Sequence, residues 1–164
     1  MVIYCYSSKE REIYMPKISQ KASITISIII TFVLFVAFTG LAIFLPSLLS
    51  GAMNFFGDPE EYFTPTLIIF YVGLIPAFIA DISLYLLLNN VKIEKIFTDS
   101  SVKYLRIISW CCFAECVVFF ALGFYYYTAF LISFAAFFMG IILRVVKNVI
   151  EAAVEIKSEN DYTI

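Results

Sequence analysis

Two acids stand where acids are costly. Asp81 and Glu115 each interrupt a long apolar run, and an ionised carboxylate facing lipid costs roughly 2.5–3.5 kcal/mol or more. Each therefore needs a proton, a cation or a basic partner. Counted from the nearer ends of their runs, both carboxyls are expected at matching depth, roughly 10–14 Å from the same boundary. Arg144 begins the end of another apolar run and is expected to reach inward towards them. Two chemistries fit this polar cluster of Asp81, Glu115 and Arg144. One is a site that shares a proton or recruits a cation, as in a small coupled transporter or a pH sensor. The other is a structural clamp, with an acid, the arginine and nearby serines holding three helices in register.

Other chemistry lacks its residues. The chain has no histidine, hence no imidazole base and no metal set built on histidine. It has no Gly-rich phosphate loop and no serine nucleophile elbow. Cys112 and Cys116 are helical neighbours, but thiolates are expensive in lipid and small apolar filler is the simpler reading. The expectation is a protein that is not an enzyme and carries no cofactor or metal.

The elements that position the acids follow from hydropathy. Of 164 residues, 62% are hydrophobic and only 15% charged, with a mean hydropathy of +0.94, against about 25% charged in ordinary soluble domains. Four apolar stretches, about 22–48, 66–88, 107–127 and 129–150, are each long enough to cross a bilayer. The eleven Lys and Arg gather at the first, third and fifth of the five gaps, with Arg144 and Lys147 at the C-terminal end of the fourth stretch. The second gap, from Gly51 to Pro65, holds Asp58, Glu60 and Glu61. Basic residues beside spans resist translocation, so both termini are expected in the cytoplasm, with the bilayer in question a plasma membrane. The fold class expected is all-α: an integral membrane four-helix bundle, N-in and C-in. The basic residues are too sparse for direct nucleic-acid binding, which needs a concentrated stripe.

Domain organisation is simple. Residues 1–21 form a cytoplasmic tail, and Met15-Pro16-Lys17 reads as an alternative translation start. Residues 22–157 make the membrane domain and residues 158–164 an acidic tail. Pro46 is expected to break span one, and Gly57-Asp58-Pro59 to turn the following loop. Ser23, Ser27 and Thr31, four apart, either bond a neighbouring helix or back-bond to their own carbonyls, with the second favoured. Pro76 frees the carbonyl of Val72 in span two. Gly73 with Ala77, and Ala136 with Gly140, are small-residue pairs that let helices approach closely. Asp99 or Ser100 is expected to cap the helix entering span three. Beyond Arg144 the pattern turns amphipathic, with Val146, Val149, Ile150, Ala153 and Ile156 on one side and Lys147, Glu151 and Glu155 on another. The last helix is therefore expected to continue into the cytoplasm and end near Ser158.

Two stretches carry a family resemblance. The terminal Glu159-Asn160-Asp161-x-Thr163-Ile164, and Phe97-Thr98-x-x-x-Val102-x-x-Leu105-Arg106 before span three, resemble the bacterial membrane family catalogued as domain of unknown function 2975. The resemblance covers most of the chain from about Met15. It implies a four-span protein without assigned biochemistry, often encoded beside a small helix-turn-helix transcription regulator. It also implies that the residues contacting a partner face the cytoplasm: Phe97, Leu105, Arg106, Glu159, Asn160, Asp161, Thr163 and Ile164. The function expected is to sense or sequester by binding such a regulator. The alternative is a small proton- or cation-coupled transporter or immunity protein using Asp81 and Glu115.

Overall fold

The computed structural model describes residues 17–93 and 98–161, and within them the chain is helical with no strand. Four helices carry it: α1 (Lys17–Phe56), α2 (Phe63–Lys92), α3 (Asp99–Leu122) and α4 (Thr128–Asp161). Each is long and apolar enough to cross a membrane. Large apolar side chains stand exposed along all of them, among them Phe32, Ile75, Val117 and Phe134. A water-soluble protein would bury such a surface, whereas acyl chains are as apolar as the side chains themselves. This is the structure of a multi-pass membrane protein. Neighbours in sequence are neighbours in space, α1 against α2, α2 against α3 and α3 against α4. Four crossings give two ends, an acidic one with the 57–62 loop and the 123–127 turn, and a basic one.

The helix limits differ from the apolar runs. At 40 and 34 residues, α1 and α4 are about 60 and 51 Å long, well beyond a hydrocarbon core of about 30 Å. Pro46 does not break α1, which continues to Phe56. A proline removes the N–H that would bond the carbonyl four residues back, here Ala42. The Tyr71 hydroxyl of α2 donates to that carbonyl at 3.1 Å, and the helix survives. Gly57, at φ 74°, then ends α1 in the left-handed conformation suited to glycine. Its N–H and that of Asp58 both donate to the Met53 carbonyl, at 2.8 and 3.1 Å. A 3₁₀ turn, Glu60–Tyr62, leads directly into α2. The loop is thus shorter than its polar and aromatic residues suggested, because Phe55 and Phe56 belong to α1.

Helix α2 runs through Pro76 without interruption. Ser27 and Thr31 back-bond to Ser23 and Ser27 carbonyls at 3.1 and 3.0 Å, so this stripe serves its own helix. The residue flanking the start of α3 is Thr98, one position before the expected caps. Its backbone is extended, it has no side-chain cap bond to a backbone N–H, and its hydroxyl lies 3.2 Å from that of Ser101. The α3–α4 hairpin is tight at both small-residue positions that face it. A Cβ on Gly140 would stand 3.0 Å from the Phe113 ring, and one on Gly123 2.7 Å from Phe130. Ser109 donates to the Gly140 carbonyl at 2.9 Å and Ser133 to that of Cys116 at 2.8 Å. α4 extends to Asp161, three residues past the expected end.

Candidate functional site

A cavity of about 450 Å³ opens between α1, α2 and α3, and both membrane acids line it. Leu34, Phe38 and Leu41 of α1 form one wall. Asp81 is buried, 6% exposed, and Glu115 is half-buried. Close packing of α2 on α3 sets their relation. A Cβ on Gly73 would lie 3.2 Å from Val118 Cγ1 and 3.5 Å from Glu115 Oε2. Gly73 precedes Asp81 by eight residues on the same helix, about 12 Å at 1.5 Å per residue. Glu115 therefore enters the cavity well towards the acidic end, and Asp81 towards the basic end. The matching depth expected from the run ends does not hold, because the α2–α3 register is set by Gly73 and its neighbours, not by where hydropathy changes.

Arg144 is not brought to the acids. Its guanidinium carbon stands 5.1 Å over the Trp110 ring, a cation–π arrangement on the α3–α4 face, beside Ser109 and Lys147. Among the described residues neither Asp81 nor Glu115 has an ion-pair or hydrogen-bond partner. The three-residue clamp is thus divided. The acids share a cavity, and the arginine stacks on the far side of α3. No cluster of three or more metal-ligating side chains occurs among the described residues.

At the basic end, Arg106 pairs with Glu151 at 3.2 Å, and Lys147 pairs with the same carboxylate from one turn earlier on α4. The Arg106 contact ties the far stretch of α4 to α3, and the Lys147 contact lies within α4. Arg106 is exposed beyond this pair, whereas Leu105 is 5% exposed and belongs to the packing. Leu105 is therefore placed where no partner reaches it without displacing neighbours. On the far stretch of α4, Ile150, Ala153 and Val154 are half-buried, while Val149 and Ile156 remain 63% and 67% exposed. Glu159 is exposed. Phe97, Thr163 and Ile164 lie outside the described residues, as do the side chains of Asn160 and Asp161.

Sequence reasoning did not single out Lys147 with Glu151 as a pair, although their i, i+4 spacing is a known helix-pair signal. Nor did it single out Thr66 and Tyr126, whose buried hydroxyls face each other beside Asp58. Isolated hydroxyl residues carry no sequence signal for that.

Neither the curated proteins nor the solved structures contain a match to this chain. A family model described as "Protein of unknown function (DUF2975)" matches residues 52–164. The match begins near the end of α1 and takes in the acidic-end loop, α2, α3 and α4 with its extension. It covers well over half of the chain, and the chain belongs to this family.

Proposed function

We propose that the basic end faces the cytoplasm of a bacterial plasma membrane, and that α4, projecting from it, binds a small helix-turn-helix transcription regulator and holds it at the membrane. The observation that carries this reading is the exposure of Val149 and Ile156 on a stretch of α4 tied to α3 by the Arg106–Glu151 pair. An apolar strip on a rigid helix offers the anchors of helix-in-groove recognition. Exposed Glu155 and Glu159 alongside it complement the positive charge that a DNA-binding partner must carry. The family resemblance, with its neighbouring regulator genes, supports the identity of that partner.

Co-purification from membranes tests it. The intact chain is expected to retain the regulator encoded beside it. A Val149→Glu, Ile156→Glu double variant, or a chain lacking residues 157–164, is expected to release it. Equal retention by all three would refute the docking role. Both chain ends are expected to stay protected from externally added protease in intact cells.

The shared cavity of Asp81 and Glu115 favours a second reading, proton- or cation-coupled transport. It predicts ion-dependent flux in proteoliposomes that Asp81→Asn abolishes. Correctly folded protein without flux in either form would eliminate it.

A further inference from the structure

The cavity between α1, α2 and α3 has the lining of a ligand site. α1 and α3 both pack against α2, and the cavity lies between them in the middle of the spans, from Leu34 to Leu45 on α1. Its volume of about 450 Å³ falls within the range of small-molecule pockets, about 300–1,000 Å³. Apart from Asp81 and Glu115, every lining residue is aliphatic, aromatic or glycine. The wall therefore presents two carboxyl groups and no other side chain to satisfy them. Glu115 has no hydrogen-bond or ion-pair partner. Three half-buried rings line the same space, Phe38 from α1, Phe70 from α2 and Phe119 from α3. Phe119 follows Glu115 by four residues, and Phe70 precedes Gly73, the residue against Glu115, by three. Residues so spaced are neighbours on one helix face, so α2 and α3 each place a ring one turn to the acidic side of the carboxylate.

We propose that this cavity binds a lipophilic quaternary ammonium, its charge at Glu115 and its apolar body against the three rings. The unpartnered carboxylate supplies the opposite charge. Phenyl faces attract a cation through their quadrupoles, the arrangement by which aromatic cages recognise quaternary ammonium groups. A wall without donors excludes anions, whose charge it would leave unmet. A primary ammonium fits less well, because its three N–H groups would meet one carboxylate and otherwise an apolar wall, and because it is more firmly hydrated. The cavity lies within the spans, so its ligand arrives through acyl chains and needs an apolar body. The assignment concerns binding alone and goes beyond the transport reading of the same acids.

The full chain in dodecyl maltoside micelles, dialysed to equilibrium against benzyltrimethylammonium with empty micelles as reference, tests this. Saturable binding is expected, weakened about tenfold or more for neopentylbenzene, which keeps the shape without the charge, and weakened also for benzylammonium. Glu115→Gln is expected to erase the preference for the cation while leaving neopentylbenzene unchanged. Where that variant fails to fold, Phe119→Leu serves, since it keeps apolar bulk and removes one ring, and it is expected to weaken the cation more than the hydrocarbon. A Glu115 that simply keeps its own proton predicts equal affinity for cation and hydrocarbon, and that result overturns the proposal. So does an absence of saturable binding, tighter binding of benzylammonium, or a cation preference that survives both substitutions. Flux in proteoliposomes is a separate readout: cation binding without flux upholds the site and eliminates transport, and ion-dependent flux without cation binding does the reverse.

Discussion

The Tyr71 hydroxyl donates to the carbonyl of Ala42 across the α1–α2 interface, at 3.1 Å, and this is the carbonyl that Pro46 deprives of its helical partner. Within a bilayer no water is available to replace that partner. One side chain on α2 thus keeps α1 continuous through a proline and ties the two helices together. Tyr71→Phe is expected to destabilise the protein by about 1 kcal/mol in unfolding titrations from mixed micelles. In a Pro46→Ala background, where the backbone N–H returns, the same substitution is expected to cost clearly less. An equal cost in both backgrounds would mean the bond is incidental.

Glu115 against Gly73, with Asp81 eight residues further along α2, predicts independence of the two acids. Asp81→Asn and Glu115→Gln are expected to change stability additively, within about 0.5 kcal/mol. A double-mutant cycle giving a coupling well above that would restore the paired-carboxyl arrangement expected from the run ends.

Gly123 has an ordinary helical φ of −60°, so a side chain there is forbidden by space, not by backbone conformation. A Cβ would stand 2.7 Å from the Phe130 ring, which is held edge-on by Phe120 and Phe124 at centroid distances of 5.3 and 5.9 Å. Gly123→Ala is expected to cost about 1–3 kcal/mol through overpacking. Shrinking the ring, with Phe130→Leu in the same chain, is expected to recover part of that loss.

The serines that cross from one helix of the α3–α4 hairpin to the other give a smaller effect. Ser109→Ala and Ser133→Ala each remove one donor to a carbonyl on the facing helix. Interhelical bonds of this kind are worth on average about 0.6 kcal/mol in membranes. Each variant is expected to fold, with a small loss of stability measured in the same titration.

Much of the site was visible as residue types but not as a constellation. Asp81 and Glu115 announce themselves because acids are rare in apolar runs, and both do line one cavity. Arg144 was grouped with them on depth alone. Depth says nothing about which way a side chain leaves its helix, and Arg144 leaves towards Trp110. Leu105 reads as a contact residue from its motif but is buried, because α3 begins at Asp99 and already packs before the apolar run starts. Gly73 and Gly140 were legible as close-approach positions, since a missing Cβ is informative wherever a neighbour has to come near.

Hydropathy and residue type by themselves determined that the described chain is helical and holds four spans, and that α4 outruns the membrane. Lipid acts on each residue nearly independently, so a count along the chain suffices. Register was decided by tertiary structure alone: Glu115 at Gly73, Tyr71 at Ala42, and Tyr126 beside Thr66 and Asp58. Helices apolar on every side carry no stripe that says which face turns inward, and the interlocking of particular side chains makes that choice.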